Sequence, residues 1–168
     1  MINKPTYVAH QLTPNVKLLH KVAVIIESKV LILKRAPNSK TRPKCWDLPG
    51  GNSEWPVKIN HPTQDLYKLD VAREVWEETG IRAQPDHFSL SSLVYFSTFY
   101  EPKKEIYTMI CGWKIVYADR SFLEFVGLSD EHTEFKWIEK NELAKYDFGG
   151  KKGEFVANII KEAFETVQ

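Results

Sequence analysis

Cysteine is scarce in this chain: Cys45 and Cys111 are the only two in 168 residues. They are too few for a disulfide framework and lack zinc-ligand spacing, so a reducing compartment, the cytoplasm by default, is expected. No run approaches the roughly eighteen apolar residues that cross a bilayer, and no apolar signal region follows the start, so no membrane partner is expected. Net charge is also scarce, with 23 Lys and Arg against 22 Asp and Glu. Such a balance gives no general attraction to extended nucleic acid, and binding a polyanion would need a local basic patch. One such patch runs from Arg35 to Lys44 and includes Lys40 and Arg42. Repeats and low-complexity tracts are absent, while a hydrophobic fraction of 43% and five tryptophans argue against disorder. The length fits one domain, 1–168, as a monomer or homodimer.

Apolar, β-branched runs from His20 to Glu27 and from Val30 to Arg35 predict a hairpin of two strands. A second strand pair is predicted over Phe88 to Tyr100 and Ile106 to Tyr117, joined by the polar turn Glu101 to Glu105. Glu134 to Ile138 reads as a short strand and Asn141 to Tyr146 as a helical turn. Phe155, Val156, Ile159, Ile160, Ala163 and Phe164 recur at helical spacing, so a helix from Glu154 to Thr166 should cover a sheet face. One central and one terminal helix among strands is an α/β pattern.

The central helix, beginning between Thr63 and Leu66, carries the most informative stretch, Arg73 to Ile81. Glu74, Glu77 and Glu78 stand at i, i+3 and i+4, so all three project toward one side of a helix. Like charges at those spacings repel by roughly 0.2 to 0.5 kcal/mol per pair. A divalent cation turns that cost into a binding site. Acidic runs are more often solvated helix faces, but the context here is unusual. Leu69, Ala72, Val75, Trp76 and Thr79 form an apolar stripe opposite the acids, Gly80 stands at the expected cap, and Trp46 to Gly51 form an apolar strand fragment ending in a turn.

Leu48-Pro49-Gly50-Gly51, together with Arg73-Glu74-Val75-Trp76-Glu77-Glu78-Thr79-Gly80-Ile81, resembles the two ends of the Nudix box. The resemblance implies a Nudix hydrolase, MutT-like in type: an α/β/α sandwich with a mixed β-sheet that cleaves a nucleoside diphosphate linked to a group X, using Mg2+ or Mn2+ and water. It implies the Gly50 carbonyl, Glu74, Glu77 and Glu78 as metal ligands. Glu74 also stands as a candidate general base, and Arg73 as the residue that orients a glutamate. Downstream, Ser129 to Trp137 resembles the loop that supplies a further carboxylate. Glu131 is the expected residue, as metal ligand or base, with Glu134 as fallback. Arg35, Leu48 and Gly51 fall at substrate-contacting positions.

This chain departs from the usual box in one respect: twenty-one residues, Asn52 to Ala72, separate Gly51 from Arg73, where the family pattern has thirteen. Asp65 then falls at the position of the usual first glutamate, while Glu54 lies close behind the glycines and is the other candidate. The insert, Asn52 to Pro62, is expected to shape the substrate pocket. Leu48 replaces an aromatic, and Phe148 to Gly153 lacks the asparagine that reads oxidised guanine in the MutT-like branch; both count against 8-oxo-dGTP specificity. The leading expectation is hydrolysis of a nucleoside triphosphate to monophosphate and pyrophosphate. The alternatives are a nucleotide-sugar hydrolase and a nucleotide-sensing module that does not cut.

Overall fold

The computed structural model describes residues 15–54 and 64–166. Six strands form one mixed sheet: β1 (Val16–Ile26), β2 (Lys29–Arg35), β3 (Trp46–Asp47), β4 (Leu93–Glu101), β5 (Ile106–Tyr117) and β6 (His132–Glu139). Two helices, α1 (Leu66–Thr79) and α2 (Glu154–Glu165), cover its opposite faces. Period-two alternation on the inner strands explains the two layers. Val22, Val24, Leu31 and Leu33 pack with Val71, Ala72 and Val75 of α1, whereas Ala23, Ile25, Val30 and Ile32 pack with Val156, Ile159 and Ile160 of α2. Both faces of β1 at residues 22–26 and of β2 at residues 30–33 are therefore dry, and these stretches read as continuous apolar runs. The α/β/α sandwich expected from the sequence is the fold observed.

The sheet order is β3-β2-β1-β5-β4, with β6 on the other side of β2. β1 and β5 run parallel over their whole length, and the other pairs are antiparallel. β1 and β2 pair only at their hairpin end, Ile25 with Val30 and Ile26 with Lys29. Beyond it they splay, and the segment from Trp46 to Asn52 fills the opening. β3 pairs with β2, while the His20 and Val22 amides donate to the Gly51 and Pro49 carbonyls, each at 2.9 Å. The glycine turn is thus held between two central strands, and this arrangement positions the site.

Several sequence expectations need correction. Phe88 does not begin a strand: it is fully buried against α1, and β4 starts only at Leu93. Between them, the Ser92 hydroxyl donates to the His87 and Ser89 carbonyls, competing with strand pairing. Leu69 and Trp76 are 40% and 51% exposed and leave the α1 core stripe to Val71, Ala72, Val75 and Thr79. α1 begins at Leu66 and is closed by Gly80 just past its last residue, Thr79, as expected. Most of the insert, including Trp55 and His61, lies outside the described residues.

Candidate active site

The Pro49-Gly50-Gly51 turn meets the acidic face of α1 at backbone level. The Gly50 amide donates to Glu78 Oε2 at 2.7 Å. Gly50 has φ +123°, and a side chain there would run into the His20 carbonyl. At Gly51 a Cβ would collide with the Glu74 carboxylate. Gly51 therefore lets the Glu74 carboxylate approach the main chain, and Gly50 lets the turn lie against β1 with its amide on Glu78. This proximity also buries one of the three acids: Glu78 is 6% exposed. Burial, with Asp47 and Glu74 adding to it, pushes the Glu78 carboxyl up to about 7, against the pull of Lys21 and the Gly50 amide. Glu74 is also raised, chiefly by burial and against the pull of Arg73.

Arg73 lies along the outer side of these acids. It donates to Glu77 at 2.9 Å, and its other nitrogen stands 3.1 Å from Glu74 and 3.5 Å from Glu54. The Glu74 contact is off the N–H direction, so it is an ion pair without a formed hydrogen bond. Glu54, not Asp65, is thereby brought to the acidic face. Asp65 stands at the N-cap position of α1 without a side-chain capping bond, pairs with Lys68 at 3.0 Å and does not line the cleft.

Beneath the glycine turn lies a buried charge cluster that sequence reasoning missed. Asp47 is fully buried, and its Oδ2 receives Arg42 at 2.7 Å, Lys21 at 3.1 Å and Arg35 at 3.1 Å. Burial alone would raise this carboxyl; the three cations and the Leu48 amide hold it below its usual value instead. Lys21 also donates to the Gly50 carbonyl at 2.6 Å and the Leu48 carbonyl at 3.0 Å. The available signal was an acid inside an otherwise apolar strand fragment, which requires cations nearby. His20 was missed as well. It accepts from the Trp113 indole at 3.0 Å and contacts the Ser53 hydroxyl at 3.0 Å, tying the start of the insert to the core. Burial, only partly offset by Asp70, pushes His20 down to about 4, so the ring is neutral.

A cleft of about 1190 Å³ opens from the acids across the α2-side face of the sheet. Lys17, Leu19 and Lys21, alternate residues of β1, form its floor. The basic residues Lys40, Lys151 and Lys152 and the aromatic rings Tyr95, Phe99 and Phe155 also line it, and Arg42 borders it from the buried charge cluster. Glu74, Glu78, Glu131, Arg35, Gly50 and Gly51 all border this cleft. Arg35 faces it while its guanidinium is engaged by Asp47 and by the Thr41 carbonyl at 2.9 Å. Leu48, expected at the substrate, is instead fully buried in the α2-side core. The fallback Glu134 is occupied elsewhere, pairing with Lys34 at 3.3 Å and Lys136 at 3.5 Å.

Comparison with known proteins agrees with this geometry. The NUDIX domain family matches residues 19–159. The chain belongs to the Nudix family. It is 37% identical over 68 residues to a MutT-like protein of Streptomyces ambofaciens, covering 40% of this chain and 36% of that protein. It is also 37% identical over 62 residues to the phosphatase NudJ of Escherichia coli K12, covering 37% of this chain and 33% of that protein. The match thus spans about a third of the length of these curated relatives. Among solved structures, a MutT protein from Methanosarcina mazei Go1 superposes with a TM-score of 0.61 at 25% identity, covering 90% of this chain and 98% of that one. The Nudix domain of Shewanella oneidensis NrtR, solved with ADP ribose, gives 0.66 at 12% identity and covers 97% and 95% of the two chains, a likeness of fold.

Nudix hydrolases generally use divalent metals, and the donor set here fits in its chemistry. Glu74, Glu77 and Glu78 offer hard carboxylate oxygens, and at Glu74 and Glu78, where burial disfavours the ionised form, a cation would offset that cost. Among the described residues, however, no three acids, histidines or cysteines are already drawn together as a metal cage. The reason is visible: Glu77 is turned toward Arg73 and Glu78 toward the Gly50 amide.

Proposed function

We propose that this Nudix protein is a divalent-metal-dependent pyrophosphohydrolase that cleaves a nucleoside diphosphate linked to a group X. Its preferred substrate on this reading is a nucleoside triphosphate, yielding monophosphate and pyrophosphate. The observation that carries the reading is the juxtaposition of Glu74 and Glu78 with the Gly50-Gly51 turn, at the end of a cleft lined elsewhere by lysines and arginines.

A phosphoanhydride resists attack because its charged oxygens repel a nucleophile, so a catalyst must offset charge and align a water. Glu74, Glu77 and Glu78 would hold Mg2+ or Mn2+, which supplies charge neutralisation and a more acidic bound water. Arg73 holds Glu77 and Glu74 in place. Glu74 and Glu131 are the candidates for accepting the water proton, both being at the cleft. Lys40, Lys151 and Lys152 contribute positive potential on the path of an incoming polyphosphate. The aromatic rings Tyr95, Phe99 and Phe155 offer stacking surface for a base.

The test is product analysis by phosphorus NMR, with magnesium and with chelator. The panel comprises the nucleoside triphosphates, 8-oxo-dGTP, ADP-ribose, a GDP-sugar and a dinucleoside polyphosphate. Magnesium-dependent release of a monophosphate with pyrophosphate supports the reading. A sugar phosphate as second product would shift the substrate to a nucleotide sugar, and binding without turnover on any substrate would make the protein a sensor.

A further inference from the structure

Family resemblance makes the Gly50 carbonyl a metal ligand, but in this chain that oxygen is already taken. Lys21 Nζ sits 2.6 Å from it, at the shortest of three bonds to oxygen. The other two go to the Leu48 carbonyl at 3.0 Å and Asp47 Oδ2 at 3.1 Å. An ammonium has three N–H donors, and all three are satisfied. Lys21 is 3% exposed, so turning it away would leave a buried charge without partners. Such a loss is among the most costly changes a fold can undergo. Arg35 and Arg42 stand on the same Asp47 oxygen. The floor beneath Gly50 therefore carries three positive charges against Asp47 and Glu78, and a dication on the Gly50 oxygen would be pressed directly against Lys21.

We propose that the Lys21 ammonium stands in the place of a metal ion at the Gly50 carbonyl, so that divalent cations bind this protein through carboxylates, those of Glu74, Glu77 and Glu78, and not through that carbonyl. The inference rests on the hydrolase reading above for the presence of a metal, and it adds Lys21 as a positioning residue. Gly50 is fixed on both sides, its N–H on Glu78 Oε2 and its C=O on Lys21. Lys21 thereby holds the turn that sets the Glu78 carboxylate in the cleft. A protein-borne cation keeps that turn in place before any metal arrives, whereas a carbonyl ligand would be ordered only with the metal bound.

Two measurements test this. The first is anomalous diffraction from crystals of the wild-type protein grown with Mn2+. Manganese is expected on the Glu74, Glu77 and Glu78 oxygens, with Lys21 still bonded to the Gly50 carbonyl. Manganese coordinated by the Gly50 oxygen would overturn the inference and leave the hydrolase reading standing. No manganese on the acidic face would overturn both. The second is Mn2+ titration followed by electron paramagnetic resonance, on wild type, Lys21→Met and Lys21→Arg. Freeing the carbonyl and removing a neighbouring charge should give Lys21→Met a further bound ion, or affinity tighter by about tenfold or more. Lys21→Arg keeps the charge and should bind as wild type does. A Lys21→Met protein with unchanged count and affinity would also overturn the inference. Should Lys21→Met fail to fold, the wild-type crystals decide the question alone.

Discussion

Replacing Glu78 by glutamine should make the metal-free protein more stable while making it a poorer enzyme. Glu78 is nearly buried, and burial moves its carboxyl from 4.5 to about 7. Because the folded pKa is raised, the folded state holds the proton more tightly than the unfolded state between those two values. The charged carboxylate therefore costs stability, with the penalty fully present above about pH 7 and gone below about 4.5. At about 1.4 kcal/mol per pH unit, the penalty is roughly 3 kcal/mol as an upper bound. Glutamine keeps an oxygen for the Gly50 amide and carries no charge. Its amide nitrogen would point toward the His132 ring, whose Nε2 lies 4.0 Å from Glu78 Oε1 and has no other partner among the described residues. The assay is urea unfolding in chelator at pH 8.5 and at pH 5, on wild type and Glu78→Gln. The variant should be more stable by about 1 to 3 kcal/mol at pH 8.5, with the gap closing toward pH 5. In magnesium, turnover should fall on the order of a hundredfold. A variant less stable than wild type at pH 8.5, or a gap that ignores pH, would refute the reasoning.

Three further outcomes follow from the same geometry. Gly51→Ala places a methyl group against the Glu74 carboxylate, so kcat should drop by about tenfold or more while circular dichroism stays native, since the carboxylate must be displaced. Asp47→Asn removes the counter-charge of Lys21, Arg35 and Arg42 and should cost about 3 to 5 kcal/mol by urea unfolding. His20 is held neutral, with a folded pKa of about 4 against 6.5, so its contribution is full above pH 6.5 and is lost as pH falls toward 4. The stability advantage of wild type over His20→Gln should therefore shrink by up to about 3 kcal/mol across that window in parallel urea titrations.

Much of the architecture was legible because it rests on local periodicity. The runs at residues 22–26 of β1 and 30–33 of β2 are continuous and apolar, as stretches dry on both faces must be, and α2 shows its stripe at helical spacing. The spacing of Glu74, Glu77 and Glu78 placed them on one side of α1, and the paired glycines announced the turn they meet. What periodicity does not carry was misread. Leu69 and Trp76 have the right chemistry for the core, yet fall at the edge of the stripe, where α1 meets no layer. Leu48 was assigned by its position in a motif, whereas insertion of the 46–52 segment between β1 and β2 drives its side chain into the core. The choice between Glu54 and Asp65 depended on the path of the insert. The Lys21-Asp47-Arg35-Arg42 cluster joins residues brought together only by the splay of two strands, a tertiary event without a sequence period.

On the proposed function, this acidic face and glycine turn direct metal-dependent attack of water on a phosphoanhydride. The most direct measurement is hydrolysis of a nucleoside triphosphate in oxygen-18 water, with magnesium and with chelator, followed by phosphorus NMR and mass spectrometry of both products. Magnesium-dependent formation of nucleoside monophosphate and pyrophosphate is expected, with one labelled oxygen entering at the attacked phosphorus, and loss of turnover in Glu78→Gln. Turnover that persists undiminished in chelator, or in Glu78→Gln, would contradict that function.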